Sequence, residues 1–221
     1  MSTTGGTSLG TPAPRPVTDD DVLDFVREVA VEGYEADADL LREVGLWLAH
    51  DHPGEPGLAE RVERLGPPLL DELHALEAEW PIPTDNDRLD RAFAALERDG
   101  ILARQNWYGN KRAVAEEEMR HELQAARLSR RPVRGFAFFT GADTRRAIAG
   151  EGLRISFGTA LPRNAARARL ERSCWEIAQD LHRALWDQHL QPDWSRVVGE
   201  PITLPFTWRR RRRRRRPAPR R

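Results

Sequence analysis

The sequence predicts an α+β protein, in which a helical N-terminal half precedes a small mixed β-sheet with a long packing helix, in the order β-α-β-α-β-β. Two observations lead to this class. Apolar residues recur every three or four positions through residues 19–99, as they do on the buried face of a helix. Beyond residue 131, short apolar runs typical of strands flank one long helical stretch. With 221 residues, the chain can bury a sizeable core.

The first half is predicted to hold three helices before residue 80. Acidic residues at positions 19–21 suit a helix N-terminus, and apolar residues at helical spacing follow them. Residues 35–49 are predicted to form the second helix and residues 56–79 the third. A break is expected at Gly66-Pro67-Pro68, because proline lacks the N–H that a helix interior needs.

A fourth helix is marked at both of its ends. Thr84 and Asp87 resemble a capping box, and Gly100 suits the left-handed position that ends a helix. Residues 101–107 then alternate as a strand, and residues 113–128 have the composition of a further helix.

The second half is predicted to contain the sheet. Its elements are, in chain order, a buried strand at 135–139, a short helix capped by Asp143, an alternating strand at 153–157, a long helix at 163–190, and two paired strands at 195–198 and 202–208.

Composition divides the chain into four segments. Residues 1–18 are rich in Ser, Thr, Gly and Pro and are predicted to be a disordered leader. An acidic helical region follows over residues 19–130, and a small α+β domain over residues 131–208. Residues 209–221 are predicted to be a disordered arginine-rich tail, because a block of like charge cannot bury apolar surface.

The charges are segregated along the chain although the formal net charge is zero. Residues 19–99 hold 23 acidic residues and 7 arginines, a net charge of −16. The tail holds ten arginines, and these are the predicted polyanion-binding residues: Arg209, Arg210, Arg211, Arg212, Arg213, Arg214, Arg215, Arg216, Arg220 and Arg221. Such a segment attracts nucleic acid, an acidic protein surface, or the acidic residues of its own chain. The alternative is an expanded GC-rich coding repeat without a selected role, since arginines outnumber lysines 34 to 1.

The compartment and the class of protein follow from what the sequence contains. Cys174 is the single cysteine, so a disulfide framework is excluded and a reducing, cytoplasmic location is expected. Its place between Leu170 and Ile177 on one helical face predicts a buried, inert thiol. No apolar run is long enough to predict a membrane span, and residues 1–18 lack the apolar core of a signal peptide.

Two places in the sequence are candidate ligand sites. Asp143, Thr144 and Arg145 follow a buried strand, where a helix N-terminus offers free N–H groups to an anion. An ordinary helix cap explains the same residues. His182 and Trp186 lie on one side of the long helix with Trp175, where they could line a pocket or stack a base, or simply border the core.

Other motifs point to chemistry less directly. Glu118-x-x-His121 matches one half of a di-iron motif, which also needs a second copy and two further glutamates. The nearest candidate for the second copy is Asp71-x-x-His74, on a helix of unrelated context, and we predict neither metal nor cofactor. The step from Leu96 to Arg104 resembles the helix-into-wing step of winged-helix proteins. Five acids over residues 85–99 disfavour insertion of that helix into a DNA groove.

Several runs of sequence together resemble an uncharacterised bacterial family of domains of unknown function. They are Asp87-Arg88-Leu89-Asp90-Arg91-Ala92-Phe93-Ala94-Ala95-Leu96-Glu97, Gly100-Ile101-Leu102-Ala103-Arg104-Gln105-Asn106, Gly135-Phe136-Ala137-Phe138-Phe139 with Asp143-Thr144, the strand from Gly152 to Gly158, and Phe206-Thr207-Trp208-Arg209-Arg210. The resemblance covers roughly residues 20–210 and implies a shared fold without an activity. Members of that family carry cysteines after the Arg-Gln-Asn strand, which would suggest metal. Here that segment, residues 107–112, has no thiol.

The predicted function is therefore a general one. We expect a non-enzymatic, cytoplasmic interaction or regulatory protein. The alternative is a nucleic-acid-associated protein that contacts phosphates through its tail, and a third possibility is an enzyme or ligand-binding site at the Asp143 end of the sheet. No nucleophile or acid–base pair is recognisable in the sequence, which disfavours catalysis.

Overall fold

The computed structural model of the chain describes residues 15–107, 111–130 and 132–212. Within these ranges the protein is α+β, with seven helices and one four-stranded mixed sheet. The helices dominate its first half, as predicted. The disorder predicted for residues 1–14 and 213–221 concerns segments outside the described residues.

Three helices form the first core: α1 (Asp19–Glu32), α2 (Asp37–Asp51) and α3 (Leu58–Ala78). Each places an apolar face in the space between them. The buried side chains of this core are Val22, Val26, Ala30, Leu40, Val44, Leu48, Leu58, Val62, Leu69 and Leu70. Small residues at the contact between α2 and α3 allow a close approach, since a Cβ at Gly45 would lie 3.3 Å from the Cα of Ala59.

The third helix runs through Pro67 and Pro68 without the predicted break. Both prolines are exposed, so the carbonyls that lose their helical partners can reach water. Leu69 and Leu70, directly after them, are buried in the first core. Burial of this face keeps the chain helical across a sequence that would otherwise end a helix.

The leader predicted over residues 1–18 includes residues that belong to the folded part of the chain. Thr18 is the N-cap of α1: its side chain accepts a hydrogen bond from the backbone N–H of Asp21, and the Asp21 carboxylate accepts one from the N–H of Thr18. Val17 packs against the first core, and its backbone N–H donates to the Glu55 carboxylate at 2.6 Å. Residues 17 and 18 therefore belong to the folded body.

The capping box predicted at Thr84 and Asp87 is present and begins α4 (Asp85–Arg98). Gly100 has the predicted left-handed backbone, with a φ of 76°. The remaining elements are β1 (Ile101–Arg104), α5 (Arg112–Leu128), β2 (Gly135–Phe138), α6 (Gly141–Ile148), β3 (Leu153–Thr159), α7 (Arg167–Asp187) and β4 (Ile202–Leu204).

The sheet has the strand order β1-β2-β3-β4. Strands β1 and β2 are parallel, with Leu102 opposite Phe136, and the other two pairs are antiparallel. The predicted strand at 195–198 does not form. The last strand pairs with β3 instead. The fourth strand of the sheet is β1, whose residues Ile101 and Leu102 are both fully buried.

The second core joins α4 to the sheet and to α7. Its buried members come from both sides of residue 130, including Leu89, Phe93 and Leu96 from α4 and Ile177, Leu181 and Leu185 from α7. The predicted boundary at 130/131 thus cuts through one core. The change from the first core to the second falls between α3 and α4.

None of the helices in the described ranges combines the length and the apolar character that crossing a membrane would require.

Candidate functional site

The chain after β4 crosses from the second core to the first. Trp208 is 9% exposed and packs on Tyr34, Phe139 and Phe206. Its indole N–H donates to the backbone carbonyl of Val31, at the end of α1, at 3.0 Å. A bulky side chain with one polar atom thereby anchors the C-terminal segment.

Arg210 lies directly on the junction between the two cores. Its guanidinium carbon stands 4.6 Å from the ring centroid of Tyr34, and Nη2 donates to Asp90 at 2.7 Å and to the Gln105 side chain. Gly33 gives the chain room there, because a Cβ at that position would be 2.6 Å from the carbonyl oxygen of Arg210. The φ of Gly33, 75°, also suits glycine.

Arg211 closes the gap between α3 and α4. Its Nη1 donates to the Asp87 carboxylate at 3.1 Å, and its Nη2 to the carbonyl of Trp80 at 2.8 Å. Burial raises the pKa of Asp87, but hydrogen bonds from Thr84 and Arg211, together with the positive charge of Arg211, outweigh burial and leave that pKa below its usual value.

Arg212 is the most buried arginine of the segment, with a side chain that is 0% exposed. Its Nε donates to Glu77 at 2.7 Å, its backbone N–H to the same carboxylate at 3.1 Å, and its Nη2 to the carbonyl of Leu70 at 2.9 Å. The His74 ring lies between two carboxylates: its Nδ1 is 3.3 Å from Glu77 and its Nε2 is 2.8 Å from Asp37. We call these contacts of Arg210, Arg211 and Arg212 the arginine seat.

The prediction of disorder from residue 209 onward is therefore wrong for residues 209–212. Arg209 donates its backbone N–H to Asn86 at 2.7 Å, and the next three residues fill the arginine seat. The apolar contacts of Trp208 and a row of carboxylates make the ordering of this segment favourable. Arg213, Arg214, Arg215, Arg216, Arg220 and Arg221 lie outside the described residues.

The Asp143 region is a helix cap, and its cap residue is not the predicted one. Thr140 is the N-cap of α6, and the Asp143 carboxylate accepts from the backbone and the hydroxyl of Thr140 at 3.0 and 2.7 Å. Thr144 is fully buried and donates to Asn106 at 3.1 Å. Arg145 lies 3.8 Å from Glu32.

Two titratable groups beside this cap have raised pKa values. Burial raises the pKa of Glu32 and outweighs the positive charge of Arg145 and a hydrogen bond from Asn106. Burial also raises the pKa of Tyr34. The Tyr34 phenol is therefore protonated at neutral pH.

A groove on the outer face of α7 brings three tryptophans together. We call it the tryptophan groove, and its volume is about 650 Å³. The residues that line it are Trp175, Gln179, His182, Arg183, Trp186, Pro192, Asp193, Trp194 and Arg196. The helix supplies one wall at spacings of three and four residues, as expected for side chains on one helix face. His182 and Trp186 are stacked, with an interplanar angle of 8°.

The second wall of the groove is the segment after α7. Asp193 exchanges two backbone hydrogen bonds with Thr203 of β4, at 2.8 and 2.9 Å, which fixes this segment to the sheet. Trp194 packs on Trp175, with ring centroids 4.8 Å apart, and contacts Phe157 of β3 edge to face. The groove is therefore held on both sides by ordered elements.

The structure separates the two predicted ligand sites. His182 and Trp186 line the tryptophan groove, whereas Asp143, Thr144 and Arg145 belong to α6 and do not line it. Sequence reasoning missed Trp194 and Arg196: Arg196 was placed in the predicted strand at 195–198, and Trp194, just before it, was given no role. The Pro192-Asp193-Trp194 run after a helix was the available signal, since proline there indicates a turn and a loop.

Cys174 is only half buried, so the prediction of a buried thiol is wrong. It lies at the margin of the apolar stripe of α7, where Ile177 and Ala178 are buried. Burial raises the pKa of its thiol, and this outweighs a backbone hydrogen bond at Thr159 and the positive charge of Arg120. The thiol is thus accessible in part but weakly nucleophilic at neutral pH.

The histidines of the two carboxylate–histidine motifs have different surroundings. His121 is exposed, 3.6 Å from Glu118. His74, from Asp71-x-x-His74, is buried in the arginine seat. Over residues 15–107, 111–130 and 132–212, no group of three or more His, Cys, Asp or Glu side chains is placed to hold a metal ion.

Comparison with known proteins identifies a family but no individual relative. No curated protein and no solved structure matches this chain. One family model matches residues 16–212, so the match extends from just before the cap of α1 to the last arginine of the arginine seat. Because the match spans most of the 221 residues, the chain belongs to the family described as Domain of unknown function (DUF6891).

Proposed function

We propose that the protein is a non-enzymatic, cytoplasmic interaction protein that presents an arginine-rich segment to a polyanion, with nucleic acid as the partner. The arginine seat is the observation that carries this proposal. It uses Arg210, Arg211 and Arg212 inside the fold, so the six arginines beyond them start from a fixed point on the body.

The division of the arginine run explains why the two parts differ in role. Arg212 is paired with Glu77 and is fully buried, so a phosphate cannot reach it without opening the fold. The arginines at 213–216, 220 and 221 lie outside the described residues, and their six charges can neutralise up to about six phosphates. A lightly selected coding repeat remains the alternative for these six.

The surroundings of the enzyme candidates favour binding over catalysis. Asp143 is occupied by two hydrogen bonds from Thr140, and Thr144 is fully buried with Asn106 as its partner. Groups held in this way position a helix, whereas a catalytic acid or base must reach a substrate. A lone thiol that is not paired in a disulfide supports a reducing compartment.

The test compares the full chain with a chain that ends at Arg212, which keeps the arginine seat intact. Binding to a fluorescent single-stranded DNA and to its duplex is measured by anisotropy at several salt concentrations. The full chain should bind both with a steep salt dependence, because each phosphate contact releases counterions. The shortened chain should lose most of that affinity and of the salt slope.

A matched control changes Arg213, Arg214, Arg215 and Arg216 to Gln in the full chain. This variant keeps the length of the segment and removes four charges, so it should resemble the shortened chain. If both altered chains bind DNA as the full chain does, the polyanion is not bound by the arginine-rich segment and the proposal fails.

A further inference from the structure

We propose that the tryptophan groove binds unpaired bases of a single-stranded nucleic acid, with Trp186 as the stacking platform and Arg183 and Arg196 at the phosphates. The inference rests on the proposed function for its partner and names a separate site on the folded body. The arginine-rich segment would supply contacts to any phosphate backbone, and the groove would select single strands.

The stacking platform follows from the geometry of Trp186. Its ring lies parallel to the His182 ring in an offset arrangement, with ring centroids 6.4 Å apart. The residue is nevertheless 62% exposed. A large, exposed indole offers apolar area to a flat ring at little entropic cost.

The opposite wall supplies a second aromatic surface. Trp194 and Trp175 are each half buried and are tilted by 45° to one another. Phe157 and the Asp193–Thr203 backbone pair hold this wall in place. The volume of about 650 Å³ lies within the range of sites for molecules the size of a nucleotide.

The charges that line the groove match a phosphate backbone. Two arginines and one aspartate line it, so it carries a positive excess. The side chain of Arg183 is 71% exposed, and its Nη1 stands 3.8 Å from Asp180, which is a loose ion pair. Arg196 is exposed and has a φ of 62°, and within the described residues no carboxylate pairs with it.

The combination favours single strands over duplexes. The flat faces of bases are covered by neighbouring pairs in a duplex, so a tryptophan cannot stack on them unless the strand is open. Arginines beside stacked bases follow the backbone of a single strand without reading its sequence. We therefore expect little sequence preference.

The experiment measures the affinity of the full chain for oligo-dT and for a duplex of equal length. Trp186→Ala should weaken binding to oligo-dT by roughly ten- to a hundredfold, the range seen when a stacking aromatic is removed. Binding to the duplex should not change. Trp186→Phe, which keeps a flat ring, should restore part of the affinity for the single strand.

The matched control is Trp47→Ala. Trp47 is 48% exposed on α2, outside the groove, so its removal should leave both affinities unchanged. Arg196→Ala should reduce the salt slope for oligo-dT by about one phosphate contact. Equal affinities of Trp186→Ala and the unaltered chain for oligo-dT would overturn the proposal, as would an equal loss for single strand and duplex.

The same measurements on the chain that ends at Arg212 keep the two proposals apart. If the arginine-rich segment has no role, the shortened chain binds as tightly as the full chain, and Trp186→Ala still weakens single-strand binding. If the groove has no role, the shortened chain loses affinity and Trp186→Ala changes nothing in either chain. Binding of a proline-rich peptide or an oligosaccharide to the groove, without oligo-dT binding, would also overturn the base-stacking assignment.

Discussion

Arg212 and Glu77 are both almost fully enclosed, and each is the other's main charged partner. Removing one member of such a pair leaves a buried charge without compensation, which costs about 3–5 kcal/mol. We expect Arg212→Met to lower the free energy of unfolding by about that amount, as measured by urea denaturation. Arg167→Met, at a side chain that is 91% exposed, is the control and should cause no measurable loss. A loss of stability below 1 kcal/mol for Arg212→Met would contradict the burial of the pair.

Cys174 gives a second test at the level of one residue. Because burial raises the pKa of its thiol, the fraction of thiolate at pH 8 is lower than in free cysteine. We expect a thiol reagent to label the native protein completely but more slowly than it labels the unfolded chain, with a rate that rises through pH 9. Labelling that is as fast in the native protein as in the unfolded chain would contradict this expectation.

Glu32 predicts a pH dependence. When the pKa of a carboxyl is higher in the folded state than in the unfolded state, the free energy of unfolding increases as the pH falls and the group takes up its proton. The free energy of unfolding decreases again as the pH rises and the carboxyl becomes charged. Burial places Glu32 in this class. We expect Glu32→Gln to be more stable than the unaltered chain at pH 7, with a difference that shrinks as the pH falls through the raised pKa toward 4.5.

The control for this prediction is Glu35→Gln, an exposed position close to Glu32 in the chain. It should leave stability nearly unchanged from pH 4 to pH 7. A stability difference between Glu32→Gln and the unaltered chain that stays constant over this range would show that ionisation of Glu32 has no part in it.

At the scale of elements, α3 is the place where local sequence and tertiary packing disagree. Proline in a helix interior costs about 3 kcal/mol relative to alanine, and part of that cost is returned because proline restricts the unfolded chain. We expect Pro67→Ala and Pro68→Ala each to raise the free energy of unfolding by about 1–2 kcal/mol. Pro53→Ala, in the loop after α2, should bring no such gain. Destabilisation by both helix substitutions would show that the prolines fit a shape that alanine cannot adopt.

Elements with local signals were predictable from the sequence. The box at Thr84 and Asp87 and the glycine at position 100 fix the ends of α4, and both are local hydrogen-bonding or backbone effects. The predicted cap was shifted by three residues because Asp143 was taken as the cap itself, and Thr140, directly after the predicted strand at 135–139, was given no role. Both members of that box were in the sequence, with the same spacing as Thr84 and Asp87.

Features that depend on distant parts of the chain were not predictable. The pairing of β1 with β2 joins residues on either side of the predicted boundary at 130, and no local pattern encodes it. The arginine seat is similar, since a run of arginines alone predicts solvation. Only the tertiary fold places Glu77 beside Arg212 and Asp87 beside Arg211. Of the groove, the helix wall was predicted through His182 and Trp186, and the loop wall was not.

At the scale of the whole molecule, the two cores meet across the C-terminal segment. A chain that ends at Arg212 should unfold at the same temperature as the full chain, because the arginine seat is complete. A chain that ends at Trp208 leaves Glu77 and Asp87 without their arginines. We expect its melting temperature to fall by roughly 6–12 °C, the shift that corresponds to about 3 kcal/mol in a chain of this size.

Calorimetry of the three chains would test this expectation. Equal melting temperatures for the chains that end at Trp208 and at Arg212 would mean that the arginine seat contributes nothing to stability. A lower melting temperature for the chain ending at Arg212 than for the full chain would place part of the contact between the arginine-rich region and the acidic helices beyond residue 212.

The position of the arginine seat also sets an order of events at the ribosome. Every residue of both cores is synthesised before Arg210, Arg211 and Arg212, yet these three tie α3 and α4 together. The nascent chain can build its helical half and most of its sheet early, since domains fold as they emerge. The contacts of the arginine seat that connect the helical half to the sheet form only after Arg210, Arg211 and Arg212 have been synthesised. A product of premature termination would carry the buried Glu77 carboxylate without its arginine, and quality-control proteases would meet it in a loosened state.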